Sequence, residues 1–122
     1  LGRVDFSVVQ TFTFVGRDDV KARSVLARAG KLFGIKSSSD LPSHVGFAHA
    51  YDLTHILARA IALARSAERP AIRDALEQVR SYEGLTGNYP EPFNSKRHEA
   101  MSPSQAFIGQ FLPSGEIERL SR

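Results

Sequence analysis

The chain opens with an alternating stretch. Val4 to Val15 reads VDFSVVQTFTFV, and Phe6, Val8, Phe12 and Phe14 alternate with polar neighbours around Gln10. β-Branched and aromatic residues at period two predict a strand, bent near Gln10 and ended by Gly16. The period then changes. Ala22, Val25, Leu26, Ala29, Leu32 and Phe33 recur at helical spacing, which predicts an amphipathic helix over about Asp19–Phe33. Asp18 and Asp19 are its N-cap candidates, and Gly34 tolerates the positive φ of a helix stop. Ile35 to Val45, with Ser37-Ser38-Ser39 and Pro42, has no period and reads as a loop.

Gly46–Ser66 is the strongest helical pattern. Phe47, Ala50, Tyr51, Leu57, Ile61 and Ala64 form one stripe, widened by Leu53, Ile56, Ala60 and Leu63. So wide an apolar arc predicts packing on more than one side. After a break at Ala67–Arg69, Pro70 suits a first helical turn. Ile72, Ala75, Leu76 and Val79 then give a one-sided stripe, so another helix hairpins back. Gly84, Gly87, Pro90 and Pro92 restrict Tyr82–Phe93 to turns around a short extended piece. Asn94–Pro103 reads as a loop, Gln105–Leu112 as a strand, Pro113-Ser114-Gly115 as a tight turn, and Glu116–Leu120 as a last short strand.

The predicted order is β-α-α-α-β-β, an α/β fold. Two or three strands are thin cover for three helices, and the long helix has more apolar surface than the chain has partners for it. The start at Leu1-Gly2-Arg3, without methionine, also reads as a boundary inside a longer protein.

A chain of 122 residues, 42% hydrophobic and 24% charged, can bury about two-thirds of its unfolded surface, so a real core is expected. The net charge is +3, but Lys and Arg are interleaved with Asp and Glu and no run of five like charges occurs. Nucleic-acid binding needs a focused basic patch, so no nucleic-acid partner is expected. No apolar run reaches the length of a membrane span, and no signal peptide is visible. The chain has no cysteine, which excludes thiolate chemistry, disulfides and Cys-based zinc sites.

Histidine is the remaining candidate for chemistry. His49, Asp52 and His55 stand at i, i+3 and i+6, whereas helical metal pairs prefer i, i+4. His49 and His55 lie about 120° apart round a helix axis, and His44 would have to join from the loop, so no metal site is expected. No G-x-S-x-G surrounds any serine. Gly84-Leu85-Thr86-Gly87 lacks the length and the Lys-Ser/Thr of a phosphate loop and reads as backbone turns. No catalytic residue and no cofactor follow from these patterns.

Three ordered stretches carry a resemblance: Ala48-His49-Ala50-Tyr51-Asp52-Leu53, with Leu57 and Ala60-Ile61; Arg69-Pro70-Ala71-Ile72-Arg73-Asp74-Ala75-Leu76-Glu77; and Tyr82-Glu83-Gly84-Leu85-Thr86-Gly87. Together they resemble the C-terminal region of type I periplasmic solute-binding proteins of the Leu/Ile/Val-binding class, which serve branched-chain amino acid ABC transporters. The likeness extends over nearly all of residues 1–122. It implies a non-enzymatic segment of a two-lobed protein: the closing helices of the N-terminal lobe and hinge strands. The hinge positions would be Val9, Gln10, Thr11, Ile108 and Gly109.

The resemblance also implies a periplasmic protein that holds a small amino acid, carboxylate or amide between its lobes and delivers it to a membrane permease. The contact region within this chain would be the helix entry, Val45, Gly46, Phe47 and His49. Phe47 would touch the solute or be a core aromatic, and Gly46 and Phe47 would stand near a solute carboxylate. With most of the cleft supplied elsewhere, the chain alone should bind solute weakly, and its uncovered apolar face should make it a homodimer. The competing readings are a self-contained protein-interaction module, the sensory ligand-binding domain of a receptor or regulator, and a small hydrolase built on His49 or His55.

Overall fold

The computed structural model describes residues 6–120. Val4 and Asp5, with which the first predicted strand began, and the boundary at Leu1-Gly2-Arg3 lie outside the described residues. The chain divides into two compact units. One holds the residues up to Phe47 and those from Ser104 onward; the other is Ala48–Pro103.

In the first unit, β1 (Ser7–Gln10), β4 (Phe107–Phe111) and β5 (Ile117–Arg119) form an antiparallel sheet in the order β1-β4-β5. Val9 pairs with Ile108 and Gln10 with Phe107. The β4–β5 turn closes through Gly115 N–H to the Leu112 carbonyl (2.9 Å) and Leu112 N–H to the Glu116 carbonyl (2.8 Å). A Cβ on Gly109 would lie 2.5 Å from Ile117 Cγ2, so this strand position has room only for hydrogen. The predicted first strand is shorter than its pattern. The β1–β4 register runs to Gln10, and further along the alternation Phe12 and Phe14 turn into the core, edge to face at 4.8 Å.

Helix α1 (Val20–Phe33) matches its predicted span. Asp19 caps it by accepting from Ala22 N–H (2.9 Å), and Gly34, at φ 72°, ends it. Ala22, Val25 and Ala29 face the core. Val20, Leu32 and Phe33 are exposed, although the last two belong to the predicted stripe.

Helix α2 (His44–Ala64) starts two residues before its predicted boundary and continues into the second unit. There α3 (Arg69–Leu76) carries Pro70 in its first turn. Ile56, Ala60, Ala75, Val79, Tyr82 and Tyr89 form the buried cluster, with Ile72, Leu76 and Phe93 packed against it. Two further strands, β2 (Tyr82–Glu83) and β3 (Asn88–Tyr89), pair antiparallel. The predicted order lacked this ladder because two-residue strands leave no period to read.

The buried line of α2 differs from the predicted one. It is Ala48, Asp52, Ile56 and Ala60, spaced by one turn and centred on a charged residue. Leu53, Leu57 and Ile61 lie about 100° further round the axis and are 53%, 43% and 42% exposed. Periodicity located an apolar arc, and among the described residues only one side of it is buried.

The buried carboxylate ties together the first and third of the stretches behind the resemblance. Asp52 Oδ1 accepts from Tyr82 Oη–H (2.9 Å) and Leu85 N–H (2.7 Å). Oδ2 accepts from Thr86 N–H (2.8 Å) and Thr86 Oγ1–H (2.6 Å). The Tyr-Asp helix therefore holds the Gly84–Gly87 turn, which closes through Gly84 N–H to the Gly87 carbonyl (2.8 Å). A Cβ at Gly84 would lie 2.7 Å from Asp52 Oδ2 and 2.8 Å from the Gly87 carbonyl oxygen, so only glycine fits beneath the carboxylate.

Candidate functional site

Within the first unit, a cleft of ≈ 240 Å³ is lined by three separate segments: Gln10, Phe12 and Thr13; Ser39 and Leu41–Val45; and Phe111 with Ser114–Ile117. The first turn of α2 forms one wall. Ser43 starts that helix, its Oγ accepting from Gly46 N–H (3.0 Å) and its carbonyl from Phe47 N–H (3.1 Å). This is the usual serine N-cap arrangement: the hydroxyl satisfies the Gly46 amide, and the carbonyl accepts the first helical hydrogen bond.

His44 joins the three segments. Its Nδ1 accepts from Phe14 N–H (3.2 Å). A backbone amide can only donate, so Nδ1 carries no proton and Nε2–H donates to the Ser38 carbonyl (3.0 Å). The Phe14 ring meets the imidazole edge to face at 5.4 Å. Thr13 Oγ1–H donates to the Ile117 carbonyl (2.5 Å), and the same oxygen accepts from Val15 N–H (3.1 Å).

Glu116 is the acidic group of the cleft. Ser38 Oγ–H donates to its Oε1 (2.8 Å) and Ser114 Oγ–H to its Oε2 (3.1 Å). His44 Nε2 lies 3.5 Å from Oε1. Both imidazole nitrogens are thus engaged by the main chain, and neither is free to take a proton from a serine. This braced polar cluster shares the lining with the apolar side chains of Phe12, Leu41, Val45 and Phe111, a mix suited to holding a small molecule.

Of the four expected contact residues, one is among the lining residues of this cleft. Val45 is half-buried and lines the cleft. Gly46 is exposed. Phe47 is half-buried, 6.1 Å from the Phe14 ring. The amides of Gly46 and Phe47, expected beside a solute carboxylate, are both taken by Ser43. His49 belongs to the second unit and does not line the cleft. Of the expected hinge residues, Val9 is 68% and Ile108 51% exposed. Gln10 faces the cleft, Thr11 follows the end of β1, and Gly109 pairs with Val8 and Arg119.

Sequence reasoning missed Thr13 and Glu116, and considered His44 only as a metal ligand. Ser43 three residues before Gly46 was a legible cap signal, but nothing local marks Glu116. Among the described residues, no group of three or more His, Asp or Glu is placed to hold a metal ion. No helix among them is long and apolar enough to cross a membrane.

No family model matches the chain, and no curated protein does. A solved structure does: a type 1 periplasmic binding protein from Bordetella pertussis Tohama I, with a TM-score of 0.71 at 18% identity. The match covers 93% of this chain and 33% of that one. The fold is part of a type 1 periplasmic binding protein fold. The chain spans about a third of the solved protein's length. At this identity the likeness establishes the fold alone.

Proposed function

We propose that the chain is the C-terminal segment of a two-lobed periplasmic solute-binding protein, and that its cleft at the start of α2 contributes to the solute site. The observation that carries this reading is the fold match over 93% of the chain. The cleft adds support: it combines apolar side chains with a few convergent polar groups, as small-molecule sites do. Val45, Gly46 and Phe47 lie at or beside it, and His49 stands one turn further along the helix. β1 and β4, with Val9, Gln10, Thr11, Ile108 and Gly109, would be the segments about which the lobes close.

The solute would be a branched-chain amino acid or a related small molecule, delivered to the permease of an ABC importer. Binding requires no cofactor and no chemical step. Titration of the protein with L-leucine, followed by amide chemical shifts, tests the reading. Shifts centred on Val45 and the β4–β5 turn are expected, at weak affinity if two-thirds of the cleft lies in other segments. Shifts elsewhere, or none at millimolar solute, would refute it.

The exposed ridge of Leu53, Leu57 and Ile61 favours a second property, self-association of the chain as a homodimer. Light scattering tests it, and a strictly monomeric mass would exclude it.

A further inference from the structure

We infer that Glu116 makes this cleft a receptor for the ammonium end of an amine-bearing solute, not for a carboxylate. The inference rests on the reading of the cleft as a solute site, and it selects among the solute classes that reading leaves open.

Two independent observations carry it. First, the cleft is lopsided in charge. Glu116 lines it, and no Lys or Arg is among its lining residues. His44 supplies no compensating positive charge, because Phe14 N–H points at its Nδ1 and the imidazole is held as the neutral Nε2–H tautomer. A solute carboxylate entering this space would face Glu116 without a counter-charge. Second, of the amides at the helix start, Gly46 N–H is taken by Ser43 Oγ and Phe47 N–H by the Ser43 carbonyl, so neither of these two is offered to an anion.

A cation meets the opposite situation. A carboxylate has about four acceptor positions on its two oxygens. Ser38 Oγ–H and Ser114 Oγ–H take one position on each oxygen, which fixes the group's orientation and leaves acceptor capacity. The side chain of Glu116 is 17% exposed, so its charge is partly desolvated yet reachable. Phe12, Val45 and Phe111 beside it fit a small apolar body attached to the ammonium.

The test uses three probes of matched apolar shape on the isotope-labelled protein, followed by amide chemical shifts. L-leucinamide carries the ammonium alone, isocaproate the carboxylate alone, and L-leucine both. L-leucinamide should shift the amides of Val45 and Ile117, and isocaproate should not. Glu116→Gln should weaken L-leucinamide about ten- to hundredfold, the worth of a hydrogen bond to a charged group. Glu116→Asp, which keeps the charge, should retain binding more closely than Gln, and the dispersion of each variant's spectrum reports that it is folded. Isocaproate binding in the cleft as well as L-leucinamide would overturn the ammonium assignment and leave the solute-site reading standing. So would a folded Glu116→Gln protein that binds L-leucinamide undiminished. Failure of all three probes to shift any cleft amide would overturn both.

Discussion

Replacing Asp52 by alanine removes the acceptor of four hydrogen bonds at once, and the structure indicates what each loss costs. Leu85 N–H and Tyr82 Oη–H belong to residues 1% and 3% exposed. Water cannot replace the carboxylate for them, so each carries a penalty of about 1–3 kcal/mol. Thr86 is only partly buried, so its amide falls at the low end of that range. Its hydroxyl keeps Tyr89 Oη as a partner at 2.8 Å and adds little. Relief from burying the carboxylate's charge offsets part of the sum, leaving a net loss of about 3–5 kcal/mol. Asparagine keeps one oxygen. With that oxygen at the Oδ1 position, Tyr82 and Leu85 stay bonded. The Thr86 hydroxyl can reverse to accept from the new amide, and only Thr86 N–H is orphaned. Asp52→Asn should therefore cost about 1–3 kcal/mol, clearly less than alanine.

Urea unfolding followed by circular dichroism measures both. With a slope of about 1–3 kcal/mol per molar, the alanine midpoint should fall by at least about 1 M. Amide exchange at Leu85 should accelerate in the alanine variant more than exchange elsewhere in the second unit. An alanine midpoint indistinguishable from the parent, or an asparagine variant as damaged as alanine, would refute the reasoning.

Gly84→Ala should cost about 1–3 kcal/mol, because its methyl would stand against the Asp52 carboxylate and the Gly87 carbonyl; urea unfolding at parental stability would contradict this. Burial, and then the hydrogen bond to Asp52, push the Tyr82 phenol above its ordinary value of 10.0. A raised folded value means the folded protein holds the proton more tightly, so stability is intact below pH 10 and declines above it. Tyr82→Phe should flatten that alkaline decline in thermal melts, and an unchanged slope would exclude the mechanism. The Ala22 amide, and then Arg17, hold the Asp19 carboxyl below its ordinary 3.8. The contribution of this cap is complete above that pH and is lost as pH falls through the lowered value. Asp19→Ala should remove about 1 kcal/mol at neutral pH and little once the carboxyl is protonated, as paired urea titrations would show.

The helices and their ends were legible in the sequence because their causes are local. Asp19 and Gly34 bound α1 through contacts within one turn, and Pro70 stands in the first turn of α3 where its missing N–H is harmless. The ordered Tyr-Asp, Arg-Pro and Gly-x-x-Gly stretches were sufficient to suggest the fold. What the sequence alone did not determine depends on chain segments distant from one another. β1 pairs with β4 about a hundred residues later, and that pairing ends at Gln10 although the alternation runs on to Phe14. The apolar arc of α2 was visible, but its buried line is the one that carries Asp52, because a carboxylate with four donors belongs inside, while Leu53, Leu57 and Ile61 beside it stay exposed among the described residues. The cleft is the extreme case. Thr13, His44 and Glu116 have no shared motif, and only folding brings three segments together so that the Phe14 N–H and the Ser38 carbonyl select the histidine tautomer and the Glu116 carboxylate lines the same cavity.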